Sequence, residues 1–106
     1  MGTDLHRTEP QWLIQARETL TGEFAAQTAR LTELTADTGD PGEAHTRSAL
    51  IAATRQSLAQ ITDALRRMAD GSYGDCRRCA GRIPPERLEI LPHATFCVPC
   101  QQRQNG

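Results

Sequence analysis

The apolar positions of this chain fall into two helical stripes of unequal quality. In the later one, Ile51, Thr54, Leu58, Ile61, Leu65 and Met68 are separated by three, four, three, four and three residues. That alternation keeps one face of a helix turned toward a partner and predicts a coiled-coil seam. Its limits are marked chemically. Asp40-Pro41-Gly42-Glu43 offers an N-cap, a proline at the first helical position and an acid in the first turn, and Gly71 follows the last periodic residue as a stop. The earlier stripe runs from Thr8 to about Ala36 and is interrupted by glycine at Gly22 alone. Leu13, Leu20 and Leu34 share one heptad position and Phe24 and Leu31 another, while Arg17 and Gln27 complete the stripe with stems long enough to cover apolar surface. Thr8 and Gln11 have capping-box spacing, with Pro10 tolerated in the first turn.

Thr38-Gly39-Asp40-Pro41-Gly42 is a short break, which predicts that the two helices fold back as an antiparallel hairpin. A parallel dimer of separate helices satisfies the same stripes, because an amphipathic face does not name its partner. A second helix of about 28 residues makes an arm on the order of 40 Å long. Between Arg30 and Arg47 the charged residues are Glu33, Asp37, Asp40 and Glu43, so the tip at about 37–43 is acidic. Capping and the helix dipole account for Asp40 and Glu43 as they stand, yet a carboxylate on a loop tip is still open to a partner.

The last third of the chain changes character. Cys76-x-x-Cys79 and Cys97-x-x-Cys100, with seventeen residues between the pairs, present two thiolate pairs at metal-ligand spacing. They predict one structural Zn²⁺ held by four sulfurs, a closed tetrahedron with no position for substrate. Two disulfides would require an oxidising compartment, and the polar stretch Met1–Gln11 lacks the apolar run of a signal peptide. A thioredoxin-like redox pair explains one Cys-x-x-Cys but not two, and no βαβ pattern accompanies them. His6, His45 and His93 are read as non-ligands. Tyr73 and Phe96, each close to a cysteine, are expected to pack the small core of this module.

Size and composition fit this picture. A chain of 106 residues with 4% aromatic and 38% hydrophobic content builds no large globular core, so a metal or a long helical seam must hold it. Net charge is −1, and Zn²⁺ on four thiolates makes it about two units more negative, which removes any general attraction to DNA. All twelve basic residues are arginine. Arg77, Arg78, Arg82 and Arg87 lie in or beside the cysteine module as possible contacts, either as a basic patch or as counterions to the thiolates, with Asp75, Glu86 and Glu89 diluting them. No segment has the apolar length of a membrane span, so a cytoplasmic protein is expected. No nucleophile triad, phosphate loop or carboxylate pair suggests an enzyme.

The stretch from Gly71 to Gln101, including Cys76-Arg-Arg-Cys79-Ala-Gly-Arg-Ile83-Pro84-Pro-Glu-Arg87-Leu88-Glu89 and Ala94-Thr95-Phe-Cys97-Val-Pro-Cys100, closely resembles the C4-type zinc finger of the DksA/TraR family. The preceding hairpin with an acidic tip agrees in pattern. The resemblance implies a regulator that binds RNA polymerase directly, without reading DNA, by inserting its coiled-coil arm into the secondary channel so that acidic tip residues, here Asp37, Asp40 and Glu43, modulate initiation.

This sequence departs from the family at several points. The family's Asp-x-x-Asp-x-Ala tip maps to Asp40-Pro-Gly-Glu43-Ala-His45, with a longer acid and a histidine in place of alanine; Asp37-Thr-Gly-Asp40 is another aspartate pair at that spacing. The stretch from tip to first cysteine is one heptad shorter than in long members, on the order of 10 Å of arm. Where members that respond to the alarmone ppGpp carry basic residues, this chain has Leu91 and Gln101, and the matching face of the second helix, around Ser57 and Gln60, is uncharged. Weak or absent ppGpp binding at that surface follows, because charge-assisted phosphate contacts supply most of its affinity.

The sequence therefore predicts a mainly α fold: residues 1–70 form an antiparallel coiled-coil hairpin and 71–106 a four-cysteine zinc finger with a short C-terminal helix, in a monomer. An adaptor that binds nucleic acid or another protein through the finger arginines competes with the polymerase reading. A coiled coil that dimerises through an exposed remnant of the seam, and a redox sensor built on oxidisable thiolates, are further alternatives.

Overall fold

The computed structural model describes residues 9–36 and 40–105. Helix α1 spans Gln11–Ala36 and α2 spans Ala44–Asp70, preceded by a 3₁₀ turn at Pro41–Glu43; α3 (Pro85–Ile90) and α4 (Val98–Asn105) belong to the cysteine module. The two long helices lie side by side as the expected antiparallel hairpin, and α3 packs against α1 at its base. The molecule measures 58 × 39 × 19 Å with a radius of gyration of 17.2 Å. A compact chain of this length has a radius near 13 Å, so the shape is that of an arm on a base.

Helix α1 begins just after Pro10, whose carbonyl accepts from the amides of Leu13 (3.0 Å) and Ile14 (3.2 Å). The predicted Thr8 capping partner lies outside the described residues. Arg17 behaves as its long stem suggests: half-buried along the seam, its guanidinium reaches Glu9 at 2.6 and 2.9 Å. Where α2 returns to the same base, Gly71 adopts φ 89° and its amide returns to the carbonyl of Arg67, the left-handed stop that an L side chain rarely tolerates.

Burial departs from the ideal seam in two places. On α1, Leu20 is fully buried while Phe24, one helical turn further toward the tip, is 41% exposed. A two-helix arm has no third layer, so beyond the base its stripe is only half covered. On α2, Thr54 and Ile61 are buried as predicted, but Ala64 and Arg67 are more buried than their seam neighbours Leu65 and Met68. The cysteine module covers a second face of α2 there. One hydrophobic cluster results, in which Ala16, Leu20, Ile61 and Ala64 from the hairpin join Tyr73, Cys76, Ile83, Leu88 and Cys100, with Trp12, Leu13 and Phe96 packed against them. Tyr73 and Phe96 thus serve the core, as their positions beside cysteines suggested. Tyr73 also stacks on Trp12 at 6.4 Å between ring centroids and donates its hydroxyl to the carbonyl of Pro92 at 2.7 Å.

Candidate metal centre and acidic tip

The first cysteine pair sits on a tight loop. The carbonyl of Gly74 accepts from Ile83 N and the carbonyl of Gly81 from Cys76 N, both at 2.7 Å, which closes the loop around an isolated Asp75–Arg82 bridge. Ala80 takes φ 64°, a left-handed conformation held by its amide bond to Cys76 O (2.9 Å). Gly81 then lies so close to Cys79 that a Cβ would stand 3.3 Å from its Sγ, while its amide donates to that sulfur at 3.4 Å. The second pair is held differently: α4 starts between Cys97 and Cys100, and Cys97 O accepts from Gln101 N at 2.8 Å. Arg77 N bonds Thr95 O at 2.8 Å and brings the two loops together.

The outcome is four sulfurs within 4.8 Å of one another. A zinc tetrahedron with Zn–S near 2.3 Å has sulfurs about 3.8 Å apart, and Cys79 Sγ and Cys97 Sγ are 3.8 Å apart. The electrostatics agree. Burial acts to raise the Cys76 thiol, but backbone donors at Cys79, Cys97 and Arg78 outweigh it and draw it down to about 6. Cys100 is pushed up to about 12 by its contact with Cys97, by burial, and by Cys76 and Cys79. Four thiolates this close ionise together only around a cation, which inverts the repulsion. Cys76 and Cys100 are buried, Cys97 is half-buried and Cys79 is exposed. The four cysteines are positioned to bind one metal ion, and among the described residues neither His45 nor His93 joins them; His6 lies outside those residues.

At the far end, Asp40 is extended (φ −65°, ψ 124°); its Oδ1 accepts from Gly42 N and its carbonyl from Glu43 N, each at 2.9 Å. It therefore caps the 3₁₀ turn that leads into α2. Glu43 is exposed and makes no side-chain cap bond, so its predicted capping role falls to Asp40 alone. Asp37 lies outside the described residues. Arm and tip are arranged so that the two described tip acids, Asp40 and Glu43, project from the end opposite the cysteines.

The four arginines expected as possible contacts all have partners within the chain. Arg77 reaches Asp63 at 3.0 and 3.1 Å, Arg82 reaches Asp75 at 3.1 Å, Arg87 Nε donates to Phe96 O at 3.3 Å, and Arg78 reaches Gln104 at 3.5 Å. Sequence reasoning missed the carboxylate at the centre of this arrangement. Asp63 on α2 accepts from Arg66, Arg67 and Arg77 at once. Its spacing to Arg67 is visible as a helical i, i+4 pair; the approach of Arg77 from another element is not. Ser57 and Gln60 are on α2, and Gln60 shares a cleft of about 380 Å³ with Arg87, Leu91, His93 and Gln101.

A helical hairpin standing on a four-cysteine metal module defines the class of protein. Residues 71–106 match the family described as the prokaryotic dksA/traR C4-type zinc finger, and this C-terminal third of the chain belongs to that family. The chain is 41% identical over 76 residues to the "RNA polymerase-binding transcription factor DksA" of Caulobacter vibrioides, covering 68% of this chain and 54% of that protein. It is 43% identical over 47 residues to "General stress protein 16O" of Bacillus subtilis (strain 168), covering 44% and 29%. It thus spans about half or less of these curated relatives. The solved structure of transcription factor DksA2 from Pseudomonas aeruginosa superposes with a TM-score of 0.56 at 26% identity, over 88% of this chain and 77% of that one. Among the described residues, no helix is long and apolar enough to cross a membrane.

Proposed function

We propose that this chain is a transcription regulator that binds RNA polymerase directly and acts by contact, without catalysis. The observation that carries the reading is its 41% identity to an RNA polymerase-binding DksA across 76 residues, extending beyond the finger. In this reading Cys76, Cys79, Cys97 and Cys100 hold one structural Zn²⁺, residues 71–106 are the base, and residues 1–70 are an arm that enters the secondary channel of the polymerase. Asp37, Asp40 and Glu43 modulate initiation from its tip, in a cytoplasmic monomer.

Physical chemistry supports the assignment. A narrow arm with acids at its end suits a channel that leads toward basic and metal-binding groups, where complementary charge guides docking. The cleft holding Gln60, Leu91 and Gln101 contains one arginine, Arg87, which is bonded to Phe96 O. That composition supports weak or absent ppGpp binding there. The adaptor reading loses ground for a related reason: Arg77, Arg78, Arg82 and Arg87 already have partners within the chain, and an arginine used internally supplies less counterion release on nucleic acid.

The test is co-purification with RNA polymerase at low salt, followed by transcription from a panel of promoters. Binding that survives the Asp40→Asn, Glu43→Gln double variant while the transcriptional effect is lost supports the tip's role. No association at low salt sinks the reading, and a salt-steep gel shift sensitive to Arg77, Arg78 and Arg82 replaces it with the adaptor.

A further inference from the structure

We propose that Asp63 is a positioning residue: by holding Arg77 of the zinc loop, it sets the direction in which the arm leaves the finger. Asp63 lies on α2, seven residues before its end, and its side chain is 19% exposed. Arg77 lies between two cysteines, so its backbone is fixed by the metal loop and by its bond to Thr95 O. Among the described residues, Asp63–Arg77 is the ion pair that joins hairpin and finger; the others lie within α1 and its approach, within α2 or within the finger.

Much of the remaining contact between the two parts is apolar, through Leu20, Ile61, Ala64, Tyr73 and Leu88. Apolar burial holds surfaces together but is non-directional, whereas one Arg77 nitrogen on both Asp63 oxygens constrains rotation. The carboxylate is itself held from the helix side. Arg67 Nε donates to it at 3.0 Å, and the Arg67 guanidinium is buried with its face 5.8 Å from the centre of the Tyr73 ring. Among the described residues Nη1 and Nη2 of Arg67 have no hydrogen-bond partner, which makes Asp63 the acceptor on which this buried cation depends.

The arm amplifies any error at this joint. From Asp63 to Asp40 the helix extends roughly 35 Å, so a turn of about 5° at the base moves the tip by about 3 Å. A displacement of that size is enough to misplace a group whose action depends on position.

The importance of aim rests on the proposed function, so the primary test omits the polymerase. Residual dipolar couplings of the full-length zinc-loaded protein report whether α2 and the finger share one alignment tensor. The wild type and Arg66→Met, which removes a partner on α2 alone, are expected to fit one tensor. Asp63→Asn and Arg77→Met are expected to need two, with unchanged zinc content, and Arg77→Lys is expected to restore one. Because Asp63→Asn also leaves Arg67 uncompensated, the half-exposed Arg77 carries the test if that variant unfolds. A single tensor for Arg77→Met overturns the proposal. With the polymerase added, a several-fold weaker transcriptional effect of Arg77→Met, restored by Arg77→Lys, supports the consequence for aim, and an unchanged effect refutes it. A wild type that ignores the polymerase refutes the proposed function and leaves the tensor result to decide the joint.

Discussion

Asp40 is both a cap and a charge, and two substitutions separate these roles. Asp40→Asn keeps an oxygen in place for the Gly42 amide now 2.9 Å from Oδ1, whereas Asp40→Ala removes it. Asparagine and aspartate are nearly equal caps, so the first change costs at most the charge–dipole contribution, about 0.5 kcal/mol at an exposed site. The second costs about 1 kcal/mol, which in a domain of this size lowers Tm by about 4–6 °C. At the proposed target the ranking differs. A carboxylate about 4 Å from a cation at an effective dielectric of 20 gains about 4 kcal/mol, and a quarter of that corresponds to roughly fivefold in effect. Circular dichroism melts and transcription assays on the same preparations distinguish the cases. We expect Asp40→Asn to melt within about 3 °C of wild type yet lose most of the transcriptional effect, while Asp40→Ala loses both. An Asp40→Asn protein with full effect, beside an Asp40→Ala protein whose loss tracks its lowered Tm, refutes the reasoning and reduces Asp40 to a cap.

Leu20→Ala should destabilise by about 2–5 kcal/mol in denaturant titrations, and Phe24→Ala, although on the same stripe, by less than about 1.5 kcal/mol, because Leu20 is fully buried and Phe24 is 41% exposed. Chelating the metal should unfold the finger and part the single tryptophan from Tyr73, now 6.4 Å away, giving a red shift of Trp12 fluorescence that tracks zinc release. Burial raises the Tyr73 phenol to about 12, with Arg67 opposing. Its raised folded value makes the neutral form stabilising below the unfolded value near 10, and that contribution is lost as pH climbs from about 10 to 12. Absorbance at 295 nm follows this one tyrosine directly, and a midpoint near 10 in folded protein would contradict its burial.

The elements of this fold were legible because local chemistry marks them. Asp40, Pro41 and Gly71 delimit the second helix, and the three-four spacing from Ile51 names its face. The cysteine spacing likewise predicts which side chains meet, since each Cys-x-x-Cys is a local turn and one ion completes the set. What the pattern misjudged is depth. A heptad position states direction along a helix but not how many layers cover it, so Phe24 and Leu20 looked alike, and Arg67 bore no mark of burial. The joint at Asp63 was hidden for a different reason. Arg67 is one turn away on the same helix, but Arg77 is brought there by a metal loop whose placement depends on tertiary packing.

The distribution of packing also bears on how the proposed arm works. Buried positions cluster at the base, from Ala16 and Leu20 on α1 to Ile61, Ala64 and Arg67 on α2, and Thr54 is the buried position nearest the tip. Beyond it the helices are held by half-buried contacts such as Leu31, Leu34 and Ile51. In the proposed reading, zinc and the aromatic stack therefore stabilise the end that stays outermost, while the end that would enter the channel relies on a cap and a thin seam. A third layer of packing would stiffen the tip but widen it beyond a two-helix section of about 20 Å. The marginal cover of Phe24 and Leu50 is thus the cost of a slender arm, and it makes the direction fixed at Asp63 and Arg77 matter more, since little further along the hairpin corrects it.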